Sequence, residues 1–274
     1  MRGRFGDNVL LIMVSILAVL WIAPLVWVVA LSFKPNDVLM QNTGGLLSPP
    51  FTARNYANIA ASSGVSGWIL NSAIVAITQT AITLVLCSLA GYGFARTEFP
   101  GKRLLFVVVL LGLAVPEQAV VVPLFKMFAD ADMHNTYAAL ILPRLAAPFG
   151  VFLMTQYFRA IPKDIEEAAL LDNASRLKIF LRIVLPLSIP AQATLGVYTF
   201  LLAWNDYLWP LISASNPKMY TLTIGLASTQ TNFAQSEGLG FLMAQAVFAG
   251  LPVLIVYLFF QRHIVTAVAG TAVR

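Results

Sequence analysis

Six stretches of this chain are each long and apolar enough to cross a bilayer, and this restricts the fold before any other feature is read. They lie at about residues 9–33, 69–94, 104–125, 137–158, 187–212 and 239–260. A spanning helix needs about 20 mainly apolar residues. Helices satisfy their own backbone polar groups where water is absent. The expected class is therefore all-α, a polytopic membrane protein with six transmembrane helices in which residues 1–274 form a single transmembrane domain. Hydrophobic residues make up 59% of the chain and charged residues 11%, against about 45–50% and 25% in soluble domains. That balance excludes a disordered chain, a coiled coil and an ordinary cytosolic enzyme. The first run is nearly unbroken over 9–33, whereas a signal peptide carries an apolar region of about 7–15 residues. It is predicted to be a retained first span.

Six spans place both termini on one side, and the loops test this by their basic residues. Arg2, Arg4, Arg96, Lys102, Arg103, Arg159, Lys163, Arg176, Lys178, Arg182, Arg262 and Arg274 fall on the side of the termini, 12 of the 17. Lys34, Arg54, Lys126, Arg144 and Lys218 fall on the other side or at its membrane edge. This asymmetry predicts that both termini are cytoplasmic. The basic residues are spread over short loops rather than gathered in a stripe, so no nucleic-acid partner is expected despite the net charge of +5. One cysteine, Cys87, and two distant histidines, His134 and His263, provide neither a disulfide framework nor a metal site. Gly44-Gly45 and Pro49-Pro50 mark turns in the first outer loop.

Residues 159–182 depart from the apolar pattern, holding 9 of the chain's 29 charges. Asp164 is placed to cap a short helix, with Glu167 in capping-box relation, and Glu166 and Glu167 fall in its first turn, where the helix dipole favours acids. Ile165, Ala168, Ala169 and Asp172 share one face by helical spacing, and the two alanines make it flat. Asn173 stands where that helix stops, in the left-handed position. Ser175 is placed to cap a second helix, along which Leu177, Phe180, Leu181 and Val184 form an apolar stripe. Pro186 and Pro190 kink or restart the chain as it enters the membrane. By residue types alone, this is either a charged loop at the headgroups or a docking element for a soluble partner.

The run Glu167-Ala168-Ala169, three residues, Asn173, nine residues, then Ile183 and Leu185-Pro186 resembles the EAA motif (E-A-A-x3-G-x9-I-x-L-P) of bacterial ABC-importer permeases. Asn173 replaces the motif's glycine, and Asn also tolerates a left-handed backbone. Asn135 to Pro143, Trp204-Asn205-Asp206-Tyr207-Leu208-Trp209-Pro210, Leu251-Pro252 with the residues after it, and Gln261-Arg262 are similar to the MalG-like, carbohydrate-uptake branch. The resemblance covers nearly the whole chain. It implies the MalG-like permease fold in a bacterial inner membrane, with residues 159–186 as a cytoplasmic coupling segment. It marks Glu166, Glu167, Ala168, Ala169, Asp172, Asn173, Ala174, Ile183, Leu185 and Pro186 as ATPase-coupling positions, with Glu167 meeting a basic residue of the ATPase. It further implies a second permease subunit, two cytoplasmic ATPase subunits, an external solute-binding protein and a small solute, a sugar or polyol. The loop over 213–238 resembles the one that reaches toward the binding protein; by composition alone it is equally a solvated hairpin.

The chain has no phosphate-binding loop of its own. Gly101-Lys102 would need Gly at 96 and Ser or Thr at 103, and Arg96 and Arg103 stand there. No cofactor is expected on this chain, and ATP and Mg are expected in the partner ATPase. Asn71, Gln79, Glu117, Gln118, Trp204, Asn205 and Asp206 fall in or near spans and are candidates for the translocation pathway, because polar groups there usually face a cavity or a partner. Asp206 either lines a pore or sits at the outer edge. Glu117, after Pro116, either gates or satisfies a helix break. Two other classes are weighed: an ion-gradient-driven secondary transporter, which would want several intramembrane acids, and a membrane enzyme, which would need a convergent constellation that these loops lack.

Overall fold

A computed structural model of the protein describes residues 3–40, 49–62, 64–233 and 238–272, with side chains over 7–39, 49–62, 64–229 and 238–261. The Gly44-Gly45 turn, Arg2, Arg274 and the side chains of Arg4, Arg262 and His263 lie outside the described residues. Every described element is helical. In chain order these are α1 (Gly3–Ser32), α2 (Asn36–Met40), α3 (Arg54–Ala61), α4 (Val65–Arg96), α5 (Lys102–Leu111), α6 (Glu117–Asp130), α7 (Tyr137–Ile141) and α8 (Pro148–Ala160). They continue with α9 (Lys163–Leu171), α10 (Arg176–Ile179), α11 (Leu185–Leu187), α12 (Ile189–Asn205), α13 (Leu208–Ser213), α14 (Leu222–Phe233) and α15 (Gly238–Ala272).

Among the described residues, three helices are long and apolar enough to cross a membrane unbroken: Asp7–Ser32, Val65–Arg96 and Gly238–Gln261. The other three apolar runs are broken. Lys102–Ala114 and Glu117–Asp130 meet at 99°, Tyr137–Arg144 and Pro148–Ala160 at 49°, and Arg176–Leu187 and Ile189–Asn205 at 74°. Each break has a proline at or beside it, Pro116, Pro148, and Pro186 with Pro190. Proline removes a backbone donor and disfavours helix in the residue before it. The run read as 187–212 ends its long helix at Asn205, and α13 follows after Asp206 and Tyr207.

The chain divides into two compact units, Met1–Ser66 with Gly225–Pro252 and Gly67–Ile224 with Val253–Arg274. In the first unit, the end of α1 and α3 are joined by polar contacts. Asn55 Nδ2 donates to the carbonyls of Ser32 (2.8 Å) and Lys34 (3.1 Å), and the Ser32 and Tyr56 hydroxyls lie 2.6 Å apart. Lys34, predicted at the start of the first outer loop or at its membrane edge, is buried with its ammonium 4.6 Å from the Phe51 ring centroid. No side chain in the membrane-length window of α1 is buried, as an apolar helix in a bilayer permits.

The second unit is built on α4 and α8. A Cβ on Gly91 would lie 2.7 Å from Met154 Cβ, and one on Gly150 would lie 2.6 Å from Cys87 Sγ. Glycine at these two positions brings the helix backbones together, the usual device of membrane helix packing. Cys87, Met154, Phe158, Ile161, Phe180 and Val184 belong to the core beside this contact, with Tyr92 packed against it. Over its described residues, segment 213–238 is not a solvated hairpin. It holds a short turn and then α14, and Leu222, Ile224 and Leu226 are buried.

Candidate functional site

Helix α9 starts two residues earlier than the capping box on Asp164 predicts. Pro162 occupies the position before α9, and no side chain caps the helix there. Proline's fixed φ of −57° and the extended Ile161 before it launch the helix at Lys163, so Asp164 lies inside the first turn instead of capping it. Asn173 adopts the left-handed conformation, φ 59°, and ends the turn after α9. Ser175 caps α10, its hydroxyl accepting from the Lys178 N–H at 3.3 Å.

The two adjacent glutamates separate onto opposite sides of α9, because successive helical residues are about 100° apart. Glu166 turns inward. Its Oε1 accepts from Arg96 Nε at 2.5 Å, and its Oε2 accepts from the Tyr92 hydroxyl at 3.3 Å. Arg96 Nη2 also donates to the Ile161 carbonyl at 2.6 Å. The two charged side chains are 7% and 11% exposed, so the pair is shielded from water. Glu167 and Ala168 face outward. The predicted flat face of two alanines is thereby split. Ala169, one turn from Glu166, packs against the core, while Ile165, Ala168 and Asp172 stay exposed. Leu171, not singled out by sequence, is the most exposed apolar side chain of the segment at 86%.

The apolar stripe also differs. Phe180 and Val184 are buried as expected, but Leu177 and Leu181 are exposed and Ile179 takes the inner position. Residues Phe180–Val184 form a π-helical turn. Its wider turn moves a residue three positions away off the face and keeps one four positions away on it. Ile183 and Leu185 pack partly buried against the same core, as does Ala174. Pro186 lies exposed just before the 74° bend, where Ser188 is fully buried and donates from its hydroxyl to the Leu185 carbonyl at 2.8 Å.

The candidate pathway residues fall into two groups. Glu117 and Asp206 come together on Arg144, a residue that sequence reasoning left at the outer edge. Arg144 Nη1 lies 2.5 Å from Glu117 Oε2, and Arg144 Nη2 and Nε donate to Asp206 Oδ2 at 2.9 and 3.1 Å. All three residues sit at helix breaks: Glu117 opens α6, Arg144 precedes the 49° bend, and Asp206 ends α12. The signal that points to Arg144 is its position inside a predicted span, where a cation needs an anionic partner. Gln118 and Asn205 are exposed nearby in sequence, and Asn205 Nδ2 donates to its own helix at the Leu201 carbonyl, 2.9 Å away.

The second group is buried. Asn71 Nδ2 donates to the carbonyls of Lys218 (2.8 Å) and Tyr220 (2.9 Å), and its Oδ1 accepts from the Tyr137 hydroxyl at 2.7 Å. Gln79 is buried along the same helix. Trp204 is 3% exposed and stacks on Phe200, with centroids 5.7 Å apart, so it presents no open ring face to a solute; Trp209 is likewise buried, donating to the Ala139 carbonyl at 2.8 Å. Of the aromatics around Asp206, Tyr207 is the exposed one.

Known proteins match most of this chain. A family described as the binding-protein-dependent transport system inner membrane component matches residues 84–270. The arabinooligosaccharides transport system permease protein AraQ of Halalkalibacterium halodurans is 32% identical, over 95% of this chain and 94% of its own. The diacetylchitobiose uptake system permease protein NgcG of Streptomyces coelicolor is 35% identical, over 92% of this chain and 85% of its own. A bacterial ABC transporter involved in the import of the acidic polysaccharide alginate has the same fold, with a TM-score of 0.81 at 20% identity over 96% of this chain and 98% of that one. The chain belongs to the binding-protein-dependent transport family as a multi-pass inner-membrane permease subunit, and it is not itself the ATPase.

Proposed function

We propose that this chain is one of two permease subunits in an ATP-driven importer that receives a sugar or polyol from an external binding protein and passes it inward by alternating access. The observation that carries this reading is the division of labour on α9. Glu166 and Ala169 fasten the helix to the permease, and Glu167, Ala168, Leu171 and Asp172 are left facing out. A helix fastened on one face and bare on the other, carrying an acid, a small residue and an exposed leucine, suits a cleft on a partner protein. Glu167 is the residue assigned to a basic group there. ATP and Mg belong to that partner, and its closure on nucleotide moves α9 as a rigid body, by virtue of its different affinity for the two states. The excess of basic residues in the loops on the side of the termini supports a cytoplasmic position for α9 and both termini.

The solute class follows the relatives, two of which are named for oligosaccharide uptake. Glu117, Gln118, Asn205, Asp206 and the exposed Tyr207 are the groups assigned to the pathway. The ion-gradient alternative is disfavoured, because both of the acids it would use already share the Arg144 cation. The test is uptake of labelled oligosaccharides into proteoliposomes. Uptake is expected only when this chain, the second permease, the ATPase, ATP and the binding protein are all present. Ion-driven flux through this chain alone would contradict the reading.

A further inference from the structure

The α4 helix is held by buried polar contacts at both ends, and the two sets touch different parts of the second unit. At one end Arg96 grips α9 through Glu166 and the loop before it through the Ile161 carbonyl. At the other end, three successive inward positions hold the segment after α13. Trp68 Nε1 donates to the Pro217 carbonyl at 3.2 Å, Asn71 Nδ2 to those of Lys218 and Tyr220, and the Ser72 hydroxyl accepts from the Leu222 N–H at 2.8 Å. Asn135 holds the start of that segment, its Oδ1 accepting from the Asn216 N–H at 2.7 Å. Between Ser72 and Arg96 the helix has no break and no proline. At 1.5 Å per residue the two fastenings are about 36 Å apart, enough to cross the hydrocarbon core of about 30 Å.

The three other apolar runs that lie wholly within residues 67–224 are bent by 49° to 99° at their breaks. A bent pair absorbs displacement at its break, whereas an unbroken helix fixed at both ends passes displacement on. We infer that α4 is a push rod: it links the coupling helix, through the Arg96–Glu166 joint, to the 217–222 segment on the opposite membrane face, through Trp68, Asn71 and Ser72. Binding-protein engagement at that outer segment and nucleotide-driven movement of α9 are then two ends of one mechanical element. Arg96 and Asn71 are positioning residues in this scheme, touching neither nucleotide nor solute. The inference rests on the importer reading above, and it adds the element through which the two membrane faces communicate.

The test is the ratio of binding-protein-stimulated to basal ATPase rate in the reconstituted importer. Stimulation in the wild type establishes the importer reading; its absence there would remove that reading and the rod with it. Given stimulation, Arg96→Gln is expected to lower the ratio about tenfold, the size of an ordinary coupling between distant sites. Asn71→Ala, at the far end, is expected to lower it similarly, and the two together no further than either alone, since both disconnect the same rod. The reversed pair, Arg96→Glu with Glu166→Arg, is expected to recover most of the ratio, which a merely damaged fold would not do. A normal ratio in Arg96→Gln, or losses that multiply in the double variant, would overturn the rod. Where Arg96→Gln fails to assemble, Asn71→Ala and the reversed pair decide in the same way.

Discussion

Arg96 and Arg144 each centre a cluster of charge in the second unit, and the two clusters are built on different principles. The Arg96–Glu166 pair matches one cation to one carboxylate, with a tyrosine and a backbone carbonyl completing the set, and both side chains are nearly closed off. Arg144 instead stands between two carboxylates, one of them, Glu117, 65% exposed and the other, Asp206, 13% exposed. The first joins the unbroken α4 to α9. The second joins three helix breaks to one another. Burying a matched pair makes a joint that is costly to open, because each ion would be left without water or partner. Sharing one cation between two acids at bends makes a joint in which one partner can leave for water at little cost. The difference points to a stiff connection between α4 and α9 and a releasable one at the bends.

The largest way to break this comparison is at the stiff joint. Arg96→Met leaves Glu166 buried without its cation and is expected to cost about 3–5 kcal/mol, read as loss of thermal stability of the purified protein in detergent. Arg144→Met is expected to cost less, about 2–3 kcal/mol, because only Asp206 of its two acids is well shielded. An equal or larger loss than in Arg96→Met would reverse the assignment of stiff and releasable joints. Asn173→Val sharpens the coupling end without touching charge. A β-branched residue in the left-handed conformation costs about 1–2 kcal/mol, whereas Asn173→Gly should be neutral or slightly stabilising, and a neutral valine would mean that the turn is not held as described. The smallest effect is expected from Glu117→Gln, under about 1 kcal/mol, as for an exposed ion pair.

Residues 159–186 were legible in the sequence where local chemistry decides: the left-handed Asn173, the Ser175 cap and the bend beside Pro186 and Pro190 follow from single residues and their neighbours. Which glutamate faces inward was not legible, because that depends on Arg96, some seventy positions away. The same holds for Arg144, whose two acids come from other runs. The stripe over Leu177 to Val184 misled because a regular 3.6-residue period was assumed where the chain makes a π turn. The aromatic cluster near Asp206 misled because Trp and Tyr suit a sugar, an interface and a core equally well, and burial alone separates them.

The most direct measurement is cross-linking from the outward face of α9. In a Cys87→Ala background, Leu171→Cys in the assembled importer is expected to capture the ATPase subunit, and a reagent that cannot cross the membrane should reach that thiol only after the membrane is opened. Capture of no ATPase, or labelling of that position from outside intact cells, would contradict the assignment of α9 as the surface through which the nucleotide motor moves this permease.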